Sequence, residues 1–263
     1  MIAGFAAFGA AAALLLFARS LAPLPLLGFV LTCAFAPFLP GLGFYLPIIS
    51  RGGRGQGGVS LTFDDGPDPE ITPRLLELLD ERGVCATFFV TGEKADAHPE
   101  LIWEIILRGH AIGNHSYHHL PLLMLTGMRT LRVEVKATQA ALARFGIVPL
   151  AFRPPVGITN PHLWSVLLEQ GMYCLTFSCR APDWGNRRVD GLSARVLHKV
   201  SPGDIVALHD VAPSQARPED FLREIACLID GLRARELDIT PLSRLIGRDV
   251  MRRVTPGARA GQP

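Results

Sequence analysis

A chain of 263 residues has room for one large domain or two small ones. Its 26 Lys/Arg against 24 Asp/Glu leave a net charge of +2, which gives no electrostatic reason to expect a nucleic-acid partner. The five cysteines, an odd number without CxxC spacing, argue against a disulfide scaffold and against a cysteine-ligated zinc site.

Apolar character is uneven along the chain. Before Arg51 the only charged side chain is Arg19. Residues 2–18 form one uncharged run, and residues 21–49 form a second, broken by Pro23, Pro25, Pro37, Pro40 and Pro47. A membrane span needs about 20 apolar residues, so the first run is marginal and the second is long enough. Residues 1–50 therefore read as a membrane anchor of one or two transmembrane segments, with Arg19 in the turn of a hairpin. A cleaved signal peptide is the alternative, although the basic leading region of such peptides is missing. A single span followed by an interfacial segment is another. Arg19 lies on one side of such a hairpin and Arg51 and Arg54 on the other, so basic flanking residues orient it only weakly. "RGGRGQGG", residues 51–58, is a Gly-rich linker, flexible by composition.

From Val59 onward the pattern alternates. Short β-type runs occupy residues 59–64, 85–91, 111–114, 150–153, 172–178, 204–209 and 237–241. Helical patterns lie between them. Three share one start and stop code, with Pro73, Pro99 or Pro161 at the first turn and Gly83, Gly109 or Gly171 after the last. About seven strands alternating with helices predict an α/β domain over residues 59–245 with a parallel sheet, either open or a barrel of fewer than eight repeats. Residues 246–263 are left as a C-terminal tail. Sites in such folds lie at the C-terminal ends of the strands, and the chemically versatile residues of this chain cluster there. The first strand ends in Asp64-Asp65, the third in "NHSYHH", the fourth in "FRPPVG"; the fifth leads into "PDWG", and the sixth ends in "LHD".

These segments, in this order, resemble the five motifs of the polysaccharide deacetylases, the NodB-like family also called carbohydrate esterase family four. "TFDDGP" and "HSYHH" are close matches, and the resemblance spans residues 59–242. It implies a distorted (β/α) barrel and a metal-dependent hydrolase that removes an N-acetyl or formyl group from an amino sugar. The alternatives are a catalytically inactive carbohydrate-binding protein on the same fold, or a hydrolase of a non-sugar amide. By the resemblance, Asp65, His115 and His119 hold one divalent metal. Two imidazoles and a carboxylate suit zinc, and also cobalt, iron or nickel. His118 is within reach as a ligand too, but the family pattern favours His119. Asp64 corresponds to the general base, oriented by Arg153. The backbone N–H of Val156 corresponds to the oxyanion donor, and His209, tuned by Asp183, to the general acid. Trp184 and Leu208 would wall the acyl pocket. His98, His110, His162 and His198 are expected to face solvent.

The chain departs from the family pattern in two places. Val156 stands where Tyr is frequent, and "SCRAPDWGNRR" carries Arg180, Arg187 and Arg188 where the family often has a further Asp. A basic cluster of this kind is either a solvated surface or a contact for an acidic group on the substrate. With the apolar N-terminus, it suggests a membrane-anchored enzyme of a bacterial-type inner membrane acting on a glycan or a lipid-linked saccharide. The side of the membrane that carries the domain is left open.

Overall fold

The structure is a computed structural model, and it describes residues 2–254 except residues 40, 54, 182 and 184. The chain begins with two helices, α1 (Ile2–Phe17) and α2 (Pro23–Phe35), which pack against each other. A Cβ added at Gly4 would stand 3.3 Å from the Phe29 ring, so glycine keeps this approach close. Most large side chains of the pair, including Phe8, Leu16, Phe17, Leu27, Val30 and Phe35, are exposed. Arg19–Phe38, 20 residues, is long and apolar enough to cross a membrane.

The elements that follow are β1 (Ile48–Ile49), β2 (Ser60–Asp64), α3 (Thr72–Glu81), β3 (Thr87–Val90), α4 (Gly92–Ala97), α5 (Pro99–Leu107), β4 (Ala111–Asn114) and α6 (Met128–Ala143). After these come β5 (Ile147–Pro149), β6 (Ala151–Phe152), α7 (Leu163–Glu169), β7 (Tyr173–Leu175), β8 (Cys179–Arg180), α8 (Leu192–Lys199), β9 (Ile205–His209), α9 (Pro218–Ala234), α10 (Leu242–Ile246) and β10 (Met251–Arg253). Eight strands form one parallel sheet in the order β1-β7-β6-β4-β3-β2-β9-β8. Its end strands β1 and β8 do not pair with each other, so the barrel stays open between them. β5 and β10 form a separate antiparallel pair.

The barrel agrees with the sequence expectation, with three local differences. Ile48–Ile49 and the buried Leu46 belong to the folded domain, although their apolar character by itself reads as part of the anchor. Residues 237–241, expected as a strand, make only a single bridge, Ile239 to Val59. β10 lies beyond residue 245, where a tail was expected; its pairing with β5 depends on a partner about a hundred residues distant and has no local signature. The helix code works largely as read. Gly83, Gly109 and Gly171 all adopt positive φ after their helices, and Asn160 Oδ1 accepts the N–H groups of His162 and Leu163 at the start of α7. At α3 the capping oxygen comes from Asp68, which accepts from Glu70 and Ile71.

Successive residues of a strand face opposite sides of the sheet. Leu61, Phe63, Phe88, Val206 and Leu208 face the helical layer and are fully or almost fully buried with side chains of α3, α5 and α9. Each such large apolar side chain contributes about 1.5–3 kcal/mol relative to exposure. The alternate residues Thr62, Asp64, Phe89, Ala207 and His209 face the barrel interior, where a smaller apolar cluster with Leu175 and Ile205 leaves room for polar groups near the top. That division is what frees the ends of β2, β4, β6 and β9 for chemistry.

Candidate active site

A cavity of about 430 Å³ opens at the C-terminal ends of the strands, lined among others by Asp64, Asp65, His115, His119, Val156 and His209. Within it the potential ligand atoms of Asp65, His115 and His119 all lie within 4.8 Å of one another. Asp65 Oδ1 is 3.3 Å from His115 Nε2 and 3.2 Å from His119 Nε2. The His115 Nδ1–H donates to the Arg153 carbonyl at 2.7 Å, which leaves Nε2 of the neutral ring with a lone pair facing the carboxylate. Two acceptors that close repel unless a cation lies between them. Asp65 Oδ1 is also buried without a hydrogen-bond partner. Ligands about 2.0–2.1 Å from a tetrahedral metal stand roughly 3.3 Å apart, which matches the separations here. The donor set therefore fits a divalent metal. Burial works to raise the Asp65 carboxyl, but positive charge among His115, His119 and His209, whether a proton or a bound cation, holds it well below the usual carboxylate range. Burial, then the neighbouring His115, keep the His119 imidazole below its ordinary value, so it favours the neutral, ligating form.

The ligand wall is built on a strained backbone. Of the six non-glycine residues with positive φ among those described, Asp65 (71°), Ser116 (65°), His119 (50°) and Val156 (51°) lie in this site. Lys94 Nζ donates to the Asp65 carbonyl at 2.6 Å and holds that turn. Gly66 follows because nothing larger fits: a Cβ there would be 2.3 Å from Asp210 Oδ2. The loop carrying His115 and His119 is held by Glu134 on α6, a buried carboxylate that no sequence motif marked. Glu134 Oε2 accepts the N–H groups of Tyr117 and His118, and Oε1 lies 2.7 Å from His118 Nδ1. His118 thus turns away from Asp65, and His119 turns toward it.

Asp64 lies beside this cluster in a different environment. Its carboxylate takes Arg153 Nη1 at 2.6 Å, and the Arg153 side chain is wholly buried. The same guanidinium donates to Thr62 Oγ1 and the Thr176 carbonyl and stacks 4.0 Å over the Phe89 ring. Arg153 therefore serves both parts of the site, orienting the Asp64 carboxylate with its side chain and the His115 imidazole with its carbonyl. On the opposite wall His209 Nδ1 lies 2.8 Å from Asp183 Oδ2. Burial opposes a charge on His209, but the hydrogen bond and charge of Asp183, with the fields of Asp65 and Asp64, push its pKa up to about 9. Asn186 donates to the carbonyls of His209 and Val211 and fixes this strand end.

Val156 lines the cavity, and its N–H has no acceptor among the described residues. Leu208 does not line it. The alternation along β9 turns Leu208 into the helical core and presents Ala207 to the cavity instead. Trp184 lies outside the described residues. Phe177, which the sequence reading passed over, also lines the cavity. His110 is not at the surface as expected: it is buried, accepts the Ala86 N–H, and burial lowers its pKa to about 4.

Comparisons with known proteins bear on the fold and the family. The family model described as polysaccharide deacetylase matches residues 51–175. A chitooligosaccharide deacetylase of Sinorhizobium fredii is 34% identical over 206 residues, which are 77% of this chain and 90% of that protein. The crystal structure of the Bc1960 peptidoglycan N-acetylglucosamine deacetylase, in complex with 4-naphthalen-1-yl-N-oxidanyl-benzamide, superposes with a TM-score of 0.71 at 29% identity, covering 77% of this chain and 94% of that one. The fold also resembles a mutant of BA3943, a pseudoenzyme of carbohydrate esterase family four with restored activity, at TM-score 0.68 and 26% identity over 76% of this chain and 71% of that one. The chain belongs to the polysaccharide deacetylase family.

Proposed function

We propose that this protein is a metal-dependent N-deacylase that removes an acetyl or formyl group from an amino sugar of a glycan or lipid-linked saccharide. Asp65, His115 and His119 hold one divalent cation, zinc first and cobalt, iron or nickel as alternatives. The cation, when bound, supplies a Lewis acid that polarises the acyl carbonyl and lowers the pKa of a water. Asp64 takes the proton of the attacking water, and Arg153 keeps its carboxylate aimed. The Val156 N–H donates to the oxyanion as it develops. His209, held as imidazolium by Asp183, gives its proton to the departing amine. The observation that carries the reading is the juxtaposition of two carboxylates in unlike settings: Asp65 among imidazole lone pairs, Asp64 on a buried arginine.

Two variants of the full chain test it. Asp65→Ala should lose both stoichiometric metal, read by elemental analysis, and release of acetate from N-acetylated chitooligosaccharide. Asp64→Asn should keep the metal and lose about 10²- to 10⁴-fold in turnover. A fully active Asp64→Asn overturns the base assignment. The likeness to a pseudoenzyme gives weight to a second reading, an inactive saccharide-binding protein on the same fold. That protein would show no stoichiometric metal and no turnover.

The N-terminal helices support a membrane-anchored form of the enzyme. The Thr159 N–H donates to the Pro37 carbonyl at 3.0 Å, tying the loop after Val156 to the end of the 20-residue apolar segment. The cavity would then open close to a bilayer surface. Cys85 and Cys227 are exposed in the catalytic domain. Labelling them with a membrane-impermeant thiol reagent in intact and in permeabilised cells reads out which side the domain occupies.

A further inference from the structure

The charges that face the cavity do not balance. Each acidic side chain already has its counterpart: Asp64 the buried Arg153, Asp65 the cation that it would hold with His115 and His119, Asp183 the imidazolium of His209. Two guanidiniums remain. Arg180 and Arg187 both line the cavity, and neither forms an ion pair among the described residues. Arg180 is placed there by its strand. Its neighbour Cys179 faces the helical core, so alternation along β8 turns Arg180 to the opposite side, where it registers with Ala207 of β9. The Phe177 ring lies 5.4 Å from its guanidinium and supports it from below. Arg188, the third member of the cluster, does not line the cavity.

From this arrangement we propose that Arg180 and Arg187 form an anion subsite for a phosphate carried by the sugar part of the substrate. The inference rests on the deacylase reading for its orientation. His209 protonates the departing amine, so the amine-bearing sugar lies on the His209 side of the bond that breaks. Arg180 lies on the strand next to His209, and Arg187 on the loop that follows that strand. The anion therefore belongs to the sugar and not to the acyl group. Paired guanidiniums bind phosphate in a fork geometry that a neutral hydroxyl cannot use. A glycosyl phosphate meets this description, either free or as the phosphodiester of a lipid.

Calorimetry on the metal-stripped full chain in detergent tests the subsite without requiring turnover. The probes are three derivatives of N-acetylglucosamine: the methyl glycoside, the 1-phosphate and the farnesyl phosphodiester. Both phosphates should bind at least about tenfold more tightly than the methyl glycoside, as expected for hydrogen bonds to a charged group. That preference should shrink as salt is raised. In Arg180→Gln/Arg187→Gln the two classes should bind within about twofold of each other, whereas Arg180→Lys/Arg187→Lys, which keeps the charges, retains part of the preference. Tighter binding of the farnesyl diester than of the 1-phosphate identifies a lipid carrier; equal binding of the two identifies a free sugar phosphate. The subsite is overturned if wild type binds neutral and anionic probes alike, or if the preference survives in the glutamine variant. Acetate release by the metal-loaded wild type is read separately. Its absence from every probe would sink the acetyl form of the deacylase reading while the binding ranks still decide the subsite.

Discussion

The two sides of the cavity are held in place by different physics. On the ligand side, Asp65, Ser116 and His119 occupy left-handed backbone conformations, and the ligand loop hangs on one buried carboxylate, Glu134. On the acid side, His209 sits at the end of a regular strand and is kept charged by a hydrogen-bonded partner, Asp183. A metal site requires atoms from separate turns to converge on one point, so backbone strain is spent on position. The proposed general acid needs reach to the leaving nitrogen and the right proton affinity, and a regular strand end with one carboxylate serves both. Arg153 joins the two regimes, because its carbonyl positions a ligand and its guanidinium holds a charge.

That contrast can be broken at its joint first. Arg153→Ala leaves the buried Asp64 carboxylate unpaired and should cost about 3–5 kcal/mol of stability, measured by urea unfolding of the full chain in detergent. Removing both charges as Arg153→Met/Asp64→Leu should recover much of that loss, since a buried ion pair exchanged for apolar side chains is often close to neutral. Failure to recover would mean that the links of Arg153 to Thr62 and Thr176 matter more than its charge pair.

On the ligand side, Glu134→Gln keeps the shape of the side chain but loses the charge that gathers two N–H groups and His118. Metal affinity should fall about 10- to 100-fold, as for partners that orient metal ligands, with little change in kcat once the site is saturated with metal. A titration with a competing chelator reads this directly. An unchanged affinity would mean that strain in the loop is sustained without Glu134.

The acid side offers the smallest and most specific effect. With His209 raised to about 9, the charged form is present at neutral pH, and kcat/KM should fall as pH rises through about 9. Asp183→Asn removes the main cause of the rise and should move that limb down by at least about one pH unit, with the metal content unchanged. The same pair has a stability signature. Its contribution is complete below the unfolded histidine pKa of about 6.5 and is lost as pH rises through the folded value. A limb that stays in place in Asp183→Asn would assign it to another group.

Much of the site was legible because it is local in sequence. Asp64 and Asp65 are adjacent, His115 and His119 share one loop, and each group sits at the end of a recognisable apolar run, so pattern and chemistry reinforce each other. What escaped notice depends on contacts across the fold. Glu134 lies in the middle of an amphipathic helix, where a lone glutamate reads as surface, and only the packing of α6 against the ligand loop reveals its role. Leu208 was misplaced for a related reason. Its position next to His209 is evident, but the face it presents depends on the phase of β9 within the sheet, and a shift of one residue exchanges core for cavity. Ile48–Ile49 went unseen as a strand because a continuous apolar run reads the same whether it meets lipid or another strand.

The sequence by itself determined the alternation of strands and helices, the positions where helices start and stop, and the residue types gathered at the strand ends. These rest on periodicity, backbone conformation and capping, which are properties of neighbouring residues. Tertiary structure alone decided that His118 faces Glu134, leaving His119 to face Asp65 as the family pattern implies. It also decided that Asp64 and Asp65, two like charges in succession, meet different partners, a buried arginine and a two-imidazole cluster that fits a metal. Of three clustered arginines, it turned Arg180 and Arg187 toward the cavity. Those outcomes depend on direction and distance between segments far apart in the chain, and the energy of a charge depends on which partner stands a few ångströms away.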